Sequence, residues 1–506
     1  MKKKILIIAI FCSMISFGQE DLVPEKKILN TFLATDFLSV DMTGTNEKHM
    51  GLSGIHLNVD LNNFYTGVGI YGSVRGRRGG FFTLGINAGY HTNLTERLFL
   101  DTGIHFGGGG GAGAPDGGGA FILPKVNLGY KFNKFSLQAG YSYINFFDGG
   151  DIISHQLNMG LHIPITIDYT PFSNAEITYN AKNLKSSVWN KRARRMSFML
   201  HLNHLSPQGN AQNGNGVSLN DSTIRLVGFE INSYVKDSWF LFAKFDGAYD
   251  GIPAGYMDIL LGVGYHLGLN RNKTNILAKF GMGAGGGGGV ETKGGMLMYP
   301  DISLEQHISN NVFISVNKGY LMSPDGFFES STLGFGLKYY TNINGISNLP
   351  SDTDTEFKGF EFIMKQDYYR QAKRITNPTQ DMYQMAIQLN YFLNKNIYLA
   401  GQTGFANFGD AGAYAEGIVG VGLQTNPFFN GKVYVFAQGL VGGAGGGNIS
   451  TGQGLIYKPS AGINYVIGNG LSLRGSAGYV GAINGDLGST MINLGVSYRF
   501  AFLSSK

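Results

Sequence analysis

The 506-residue sequence is poor in cysteine, tryptophan and charge. Its single cysteine, Cys12, lies inside an N-terminal apolar run, so removal of that run leaves no disulfide and no thiol chemistry. Charged residues are 14% of the chain, against about 25% in an ordinary soluble domain. Beyond the N-terminus no apolar run reaches the ~18 residues that a membrane helix requires. The first 18 residues read as a secretory signal: Lys2, Lys3 and Lys4, the run Ile5–Phe17, and Gly18 before Gln19. Bulky Phe11 before Cys12 argues against a lipoprotein signal. Cleavage near Gly18 also removes three lysines from a formal charge of only +5, which leaves no case for a nucleic-acid partner.

Glycine and aromatics are what the chain has in excess. Its 77 glycines are roughly twice the usual share of about 7%, and aromatics reach 13%. A glycine tract followed by a proline-bearing strand occurs three times: Gly107–Gly119 before Pro124, Gly281–Gly295 before Pro300, and Gly439–Gly454 before Pro459. Each proline is followed by a Gly-Tyr, a turn, and an alternating strand with a central glycine (Gly160, Gly336, Gly495). Both the prolines and these glycines are offset by 176 and 159 residues. The order predicts a triplicated unit, far longer than a solenoid repeat.

Within each unit the strongest segments alternate with period two. In the last, Ile492, Leu494, Val496, Tyr498 and Phe500 lie opposite Asn493, Gly495, Ser497 and Arg499. Such alternation suits a half-buried antiparallel sheet or a barrel with lipid outside and polar groups inside. Eight strands are read per unit. Short turns at one end and longer Gly/Asp/Asn-rich loops at the other follow the meander of outer-membrane barrels. The units are placed at 19–168, 169–345 and 346–506, after a signal at 1–18. Polar linkers at Thr166–Arg195 and Thr341–Lys358 fall on the short-turn side.

These aromatic-rich alternating strands resemble the small eight-stranded barrels of the bacterial outer membrane. The end Ile492–Phe500 resembles the C-terminal strand signal read by the barrel-assembly machinery, from which six trailing residues, Ala501–Lys506, depart. The resemblance implies an antiparallel up-and-down transmembrane barrel, exported to the outer membrane and in contact with its lipid and lipopolysaccharide. Twenty-four strands fit either one large barrel or three separate units. No plug or long constriction loop is visible, and small barrels fill their own interiors, so separate units are favoured. A soluble eight-stranded barrel or sandwich is the third architecture.

Candidate chemistry is sparse. The tracts lack the Gly-Lys-Ser/Thr ending of a phosphate loop and lead into strands. They are read as structural, with Gly107, Gly119, Gly285, Gly295, Gly442 and Gly454 permitting a kink that large side chains from across the barrel fill. Pro124, Pro300 and Pro459 lack a ladder donor and predict a bulge or bend. All ten histidines fall in the first two units. His91 and His266 match in position, but Gln424 replaces them in the third copy, which excludes a site common to all units. His201 and His204, three apart on a strand, face opposite sides. An acyl hydrolase confined to the first unit would use His105 as base, but no motif supports it. Arg75, Arg77 and Arg78 are candidate lipopolysaccharide contacts; Lys191, Arg192, Arg194 and Arg195 are candidate contacts for a periplasmic envelope partner, or keep their linker solvated. Asp352, Asp354 and Glu356 lack the spacing of an EF-hand loop. No cofactor or metal is expected. The reading is a non-enzymatic outer-membrane scaffold or docking component. Its rivals are a 24-stranded pore for solutes or polypeptide, and a soluble surface or periplasmic binding protein.

Overall fold

A computed structural model describes residues 23–505 except Gly44, Asp325, Ser351, Asp352 and Asn377. The expected signal and its cleavage point lie outside the described residues. The chain is all-β and antiparallel, with 25 strands. The first eight are β1 (Lys27–Val40), β2 (Met50–Leu61), β3 (Phe64–Arg75), β4 (Phe82–Asn93), β5 (Leu98–Gly110), β6 (Phe121–Lys131), β7 (Ser136–Phe146) and β8 (Ile153–Pro171). A linker follows, with a 3-10 turn at Phe172–Asn174, β9 (Thr178–Asn180) and the one-turn helix α1 (Ala181–Leu184). Next come β10 (Arg194–Pro207), β11 (Ile224–Tyr234), β12 (Trp239–Asp250), β13 (Met257–Leu269), β14 (Thr274–Gly286), β15 (Met296–Ser309), β16 (Val312–Met322) and β17 (Glu329–Ile343). The last are β18 (Asp354–Ala372), β19 (Gln380–Phe392), β20 (Ile397–Phe408), β21 (Ala415–Gln424), β22 (Val433–Gly445), β23 (Leu455–Gly468), β24 (Leu471–Ala482) and β25 (Gly488–Ser505).

Within each run of eight, β1–β8, β10–β17 and β18–β25, every strand pairs with its sequence neighbour, and three seams return the ladder to its start. β8 pairs with β1 from Lys27↔Tyr169 to Leu38↔Asn158. β17 pairs with β10 from Arg194↔Ile343 to Pro207↔Ser330. β25 pairs with β18 from Thr355↔Ser505 to Tyr369↔Met491. Each run of eight strands is therefore a hydrogen-bonded ring. Short ladders join the rings at their short-turn ends: Phe500↔Pro171 and Ala501↔Thr170, and Asn342↔Ser505 and Ile343↔Ser504. Closure leaves no ring with an unpaired edge.

The period-two pattern fixes which face is which. Along β8, Ile153, Leu157 and Met159 are exposed, Leu157 at 79%, while Ser154, Gln156 and Asn158 are buried. Along β25, Ile492, Leu494 and Val496 point out; Asn493, Ser497 and Arg499 are buried inside. Apolar side chains out and polar side chains in is the inverse of a soluble barrel. No helix among the described residues is long and apolar enough to cross a membrane.

The prolines behave differently from expectation. Across Pro124 the β6–β7 register passes from Ile122↔Asn145 to Lys125↔Ser142 with two pairings missing and no shift. Pro300 and Pro459 interrupt β15–β16 and β23–β24 in the same way. Without an N–H the proline removes ladder bonds, but no extra residue is inserted, so there is no bulge. The kink filled from across the barrel is also corrected. Most tract glycines face adjoining strands and loops of their own ring, as Gly107 does Leu84 O and Gly442 does Gly417 O, and some face backbone of the neighbouring ring rather than side chains from across the barrel. A Cβ on Gly108 would lie 2.3 Å from the Ala406 carbonyl oxygen, one on Gly286 2.7 Å from Gly80 N, and one on Gly445 2.4 Å from Gly255 N.

These contacts repeat around the molecule: β3 packs on β14, β12 on β22, and β20 on β5. In each case the third strand of one ring meets the fifth strand of the next, a cyclic arrangement in which three copies within one chain use the same two faces. Substituting Gly108 by Val should destabilise the protein by about 1–3 kcal/mol through overpacking. Gly439→Ala, where nothing lies within 4 Å of the added Cβ, should be neutral. Thermal unfolding of both variants in detergent checks the contrast.

Candidate functional site

An eight-stranded ring is just wide enough for side chains to fill it, and here they are charged. In the first ring, His56 Nε2 lies 3.1 Å from Asp36 Oδ1, Tyr71 donates to Asp36 Oδ2 at 2.8 Å, and Lys125 Nζ is 3.6 Å from the same carboxylate. His105 Nδ1 lies 2.6 Å from Asn87 Oδ1. Room for these groups comes from inward glycines: a Cβ on Gly54 would lie 2.1 Å from Asp36 Oδ1, and one on Gly69 1.9 Å from His56 Nδ1.

In the second ring Lys279 donates to Glu230 at 2.7 Å and lies 3.1 Å from Asp301. Lys338 donates to Glu305 at 2.7 Å, and Tyr340 to the other Glu305 oxygen at 2.6 Å. His201 and Lys244 meet on Asp246. In the third ring Lys458 donates to both Asp367 and Glu416 at 2.6 Å. Glu361 takes Arg499 Nε at 3.0 Å, Asn390 at 2.8 Å and Tyr434 at 3.1 Å. The Arg499 guanidinium lies 3.8 Å from the Tyr434 ring centre, and Arg474 3.4 Å from that of Phe436. Cations and carboxylates thus alternate through each interior, and the side chains that line the lumens also close them.

The rings meet in an apolar core to which all three contribute: Phe82 and Leu84, Ile259 and Ala284, and Phe405 are buried together. The Gly79 N–H donates to Lys293 O at 2.6 Å, and Gly412 N–H to Gly117 O at 3.0 Å, tying loops of different rings. Asp116, in the loop after β5, is buried in this junction and accepts from the Gly111 N–H at 2.7 Å. Burial holds its carboxyl up at about 7, although that hydrogen bond and nearby Arg78 pull it down.

At the opposite end the two linkers form a cap. Ala175, Tyr179, Leu184, Trp189, Ile346, Phe357, Ala501 and Leu503 form one buried cluster, and Trp189 Nε1 donates to Pro24 O at 2.9 Å. β9 pairs with the start of β18. Ala501 and Leu503 explain why the chain runs past the expected terminal signal: they extend β25 into the cap.

The expected site residues separate accordingly. Gly107, Gly119, Gly285, Gly295, Gly442 and Gly454 lie in or beside the inter-ring junction. Arg78 is held by Glu47 (3.0 and 2.8 Å) and by the carbonyls of Ala112 and Gly113, so it braces loops; Arg75 and Arg77 are exposed. Lys191 pairs with buried Asp168, and Arg195 lies 4.6 Å from the ring centres of Tyr234 and Tyr340. Arg192 reaches only exposed Asp237, at 3.3 Å, and Arg194 is exposed. His105 is enclosed by His56, Tyr71 and Phe121. Asp352 lies outside the described residues, and Asp354 and Glu356 pair with β9 as strand. Among the described residues no group of three or more His, Cys, Asp or Glu is placed to hold a metal. Sequence reading missed the lumen ion pairs. Their only signal was a charge on the polar face of a strand, as at Glu230, Lys279 and Lys338.

No family model matches the chain, and no curated protein matches it. Among solved structures, OpdQ of Pseudomonas aeruginosa is 10% identical, with 94% of this chain and 98% of that chain covered and a TM-score of 0.22. A mutant of the ferric enterobactin receptor PfeA of Pseudomonas aeruginosa is 9% identical over 93% and 80%, at 0.27. OccAB2 of Acinetobacter baumannii is 10% identical over 94% and 98%, at 0.21. At such scores the likeness carries no argument, and ring closure is read from this chain's own register. The chain is an all-β, antiparallel β-barrel protein.

Two outcomes follow from the site. Glu361→Ala leaves Arg499 and Arg474 buried without their carboxylate, so stability should fall by about 3–5 kcal/mol. Arg192→Ala, which breaks an exposed pair, should cost under about 1 kcal/mol. Denaturant titration of the two variants checks this. Because the Asp116 pKa is raised on folding, the folded state takes up a proton, and this contribution to stability is lost as pH rises from about 4 through about 7. Melting temperatures at pH 5 and pH 8, against Asp116→Asn, should show a decline that the variant lacks.

Proposed function

We propose that this chain is an outer-membrane protein in which the three rings are separate eight-stranded barrels, and that its role is structural or docking rather than catalytic. The observation that carries this is the pairing of sealed, ion-paired lumens with apolar outer walls. Leu157, Met159, Ile302 and Leu494 are each more than half exposed, on strands whose inner faces hold the buried charges of Asp168, Asp301, Glu305 and Arg499. Such walls are matched to hydrocarbon, where a strand must have all its backbone bonds made within the ring. Strands of 10 to 19 residues are long enough for the crossing, which takes about 9–11. Enclosure of His105 in the first lumen supports a non-enzymatic role. Exposed Arg75 and Arg77 remain available to lipopolysaccharide phosphates at the long-loop end.

Passage of a solute is the second reading, and the polar lining favours it, since a channel wall would be built from the same residues. It requires the ladders of Glu230, Lys279 and Lys338, or of Asp367, Glu416 and Lys458, to part. Reconstituted into planar bilayers, the mature protein should pass almost no current; discrete conductance steps would replace the scaffold with a channel. Failure to float with liposomes would remove the membrane reading altogether.

A further inference from the structure

The two ends of the molecule carry opposite charge. In the nine short turns within the rings there are seven Lys or Arg and two Asp or Glu. In the twelve long loops there are six Lys or Arg and ten Asp or Glu. The linker segment 172–195, on the short-turn end, adds six Lys or Arg against one Glu. A field of one sign over one end attracts partners of the other sign and raises their rate of encounter.

This charge is mounted on something rigid. Trp189, Leu184, Tyr179 and Ala175 are buried in the cap cluster, and β9 is hydrogen-bonded to β18. Between those anchors Lys182, Arg192 and Arg194 are exposed, and so are Val188 at 62% and Ile177 at 38%. Lys191 and Arg195 are engaged within the chain, so that of the run seen in the sequence Arg194 and Arg192, the latter in an exposed pair with Asp237, are the solvent-exposed cations. The pairing of Arg192 with Asp237 sets the β11–β12 turn, and with it Lys236, beside the cap.

We propose that the short-turn end, with the linker cap as its platform, is a docking surface for an acidic protein segment on the periplasmic side. The inference rests on the membrane reading for its sidedness. Apolar Val188 and Ile177 among the cations suit a protein interface, which has an apolar centre and a polar rim.

The test uses the mature full chain in phosphatidylcholine nanodiscs, with fluorescent poly-L-glutamate as the probe and anisotropy as the readout. Liposome flotation comes first, so that failure of the membrane reading is seen separately. All variants are checked for the heat-shifted gel mobility of the folded barrel. The probe should bind the parent protein and weaken as salt rises. The combined Lys182→Glu, Arg192→Glu, Arg194→Glu variant should bind at least about tenfold more weakly. Reversing Lys48, Arg370 and Lys373 to Glu, at the long-loop end, should change nothing. In the parent, replacing phosphatidylcholine by phosphatidylglycerol should leave the probe's affinity unchanged. Equal affinity of the cap variant and the parent would overturn the proposal. So would displacement of the probe by phosphatidylglycerol from the parent, which would give the cap's charges to lipid headgroups instead.

Discussion

Ring closure is the constraint on which the rest depends. A strand in hydrocarbon has no water to satisfy its N–H and C=O groups, so both its edges must be paired. The seams β1–β8, β10–β17 and β18–β25 meet that condition within each run of eight strands. Once a ring of eight has closed, its interior has space for side chains only. A charged group turned inward is then costly unless it is paired. The clusters around Asp36, Glu230 and Glu361 are three different answers to that one requirement. Hydrophobic burial, which organises soluble cores, is divided here among the junction, the cap, the loop ends and small clusters inside the rings such as Tyr234, Phe240 and Phe313.

Glycine does two separate jobs in this arrangement. Inside the rings, Gly54 and Gly69 yield volume to Asp36 and His56, so that a narrow lumen can hold a large polar cluster. Outside, at the ends of β5, β14 and β22, glycine lets one ring's backbone reach another's. Gly286, at a φ of +143, sits where a side chain would be strained as well as crowded. A tract that gives up side-chain packing within its own strand gains a backbone contact between rings. That exchange accounts for the recurrence of the tract at matching positions.

Much of this was legible in the sequence, and the limits are physical. Period-two alternation in Ile492–Phe500 marked inside and outside correctly, because the side-chain direction of a strand is a local property. Turn and loop lengths marked the two ends for the same reason. Pairings between distant residues were not legible: Glu361 and Arg499 are 138 apart and meet only through the β18–β25 register. Of the bulge or bend expected at the prolines, a bulge would shift the ladder, whereas here the ladder skips two pairings and resumes in register. The basic linker was read as one cluster, but Asp168, Tyr234 and Tyr340 divide it into half-buried and exposed cations. Nothing in the linker's polarity foretold the buried Trp189, whose partners come from three separate parts of the chain.

The most direct test of the account uses a background in which Cys12, the one cysteine of the sequence, is replaced by Ser. Leu202 on β10 and Phe335 on β17 are direct ladder partners across a seam, and both point outward. Cysteines placed at 202 and 335 should form a disulfide in the folded protein in membranes. In a single large wall β10 would instead lie beside β8, and 202 would not meet 335. A folded, membrane-inserted protein with no 202–335 linkage would contradict closure of the second ring and the account built on it.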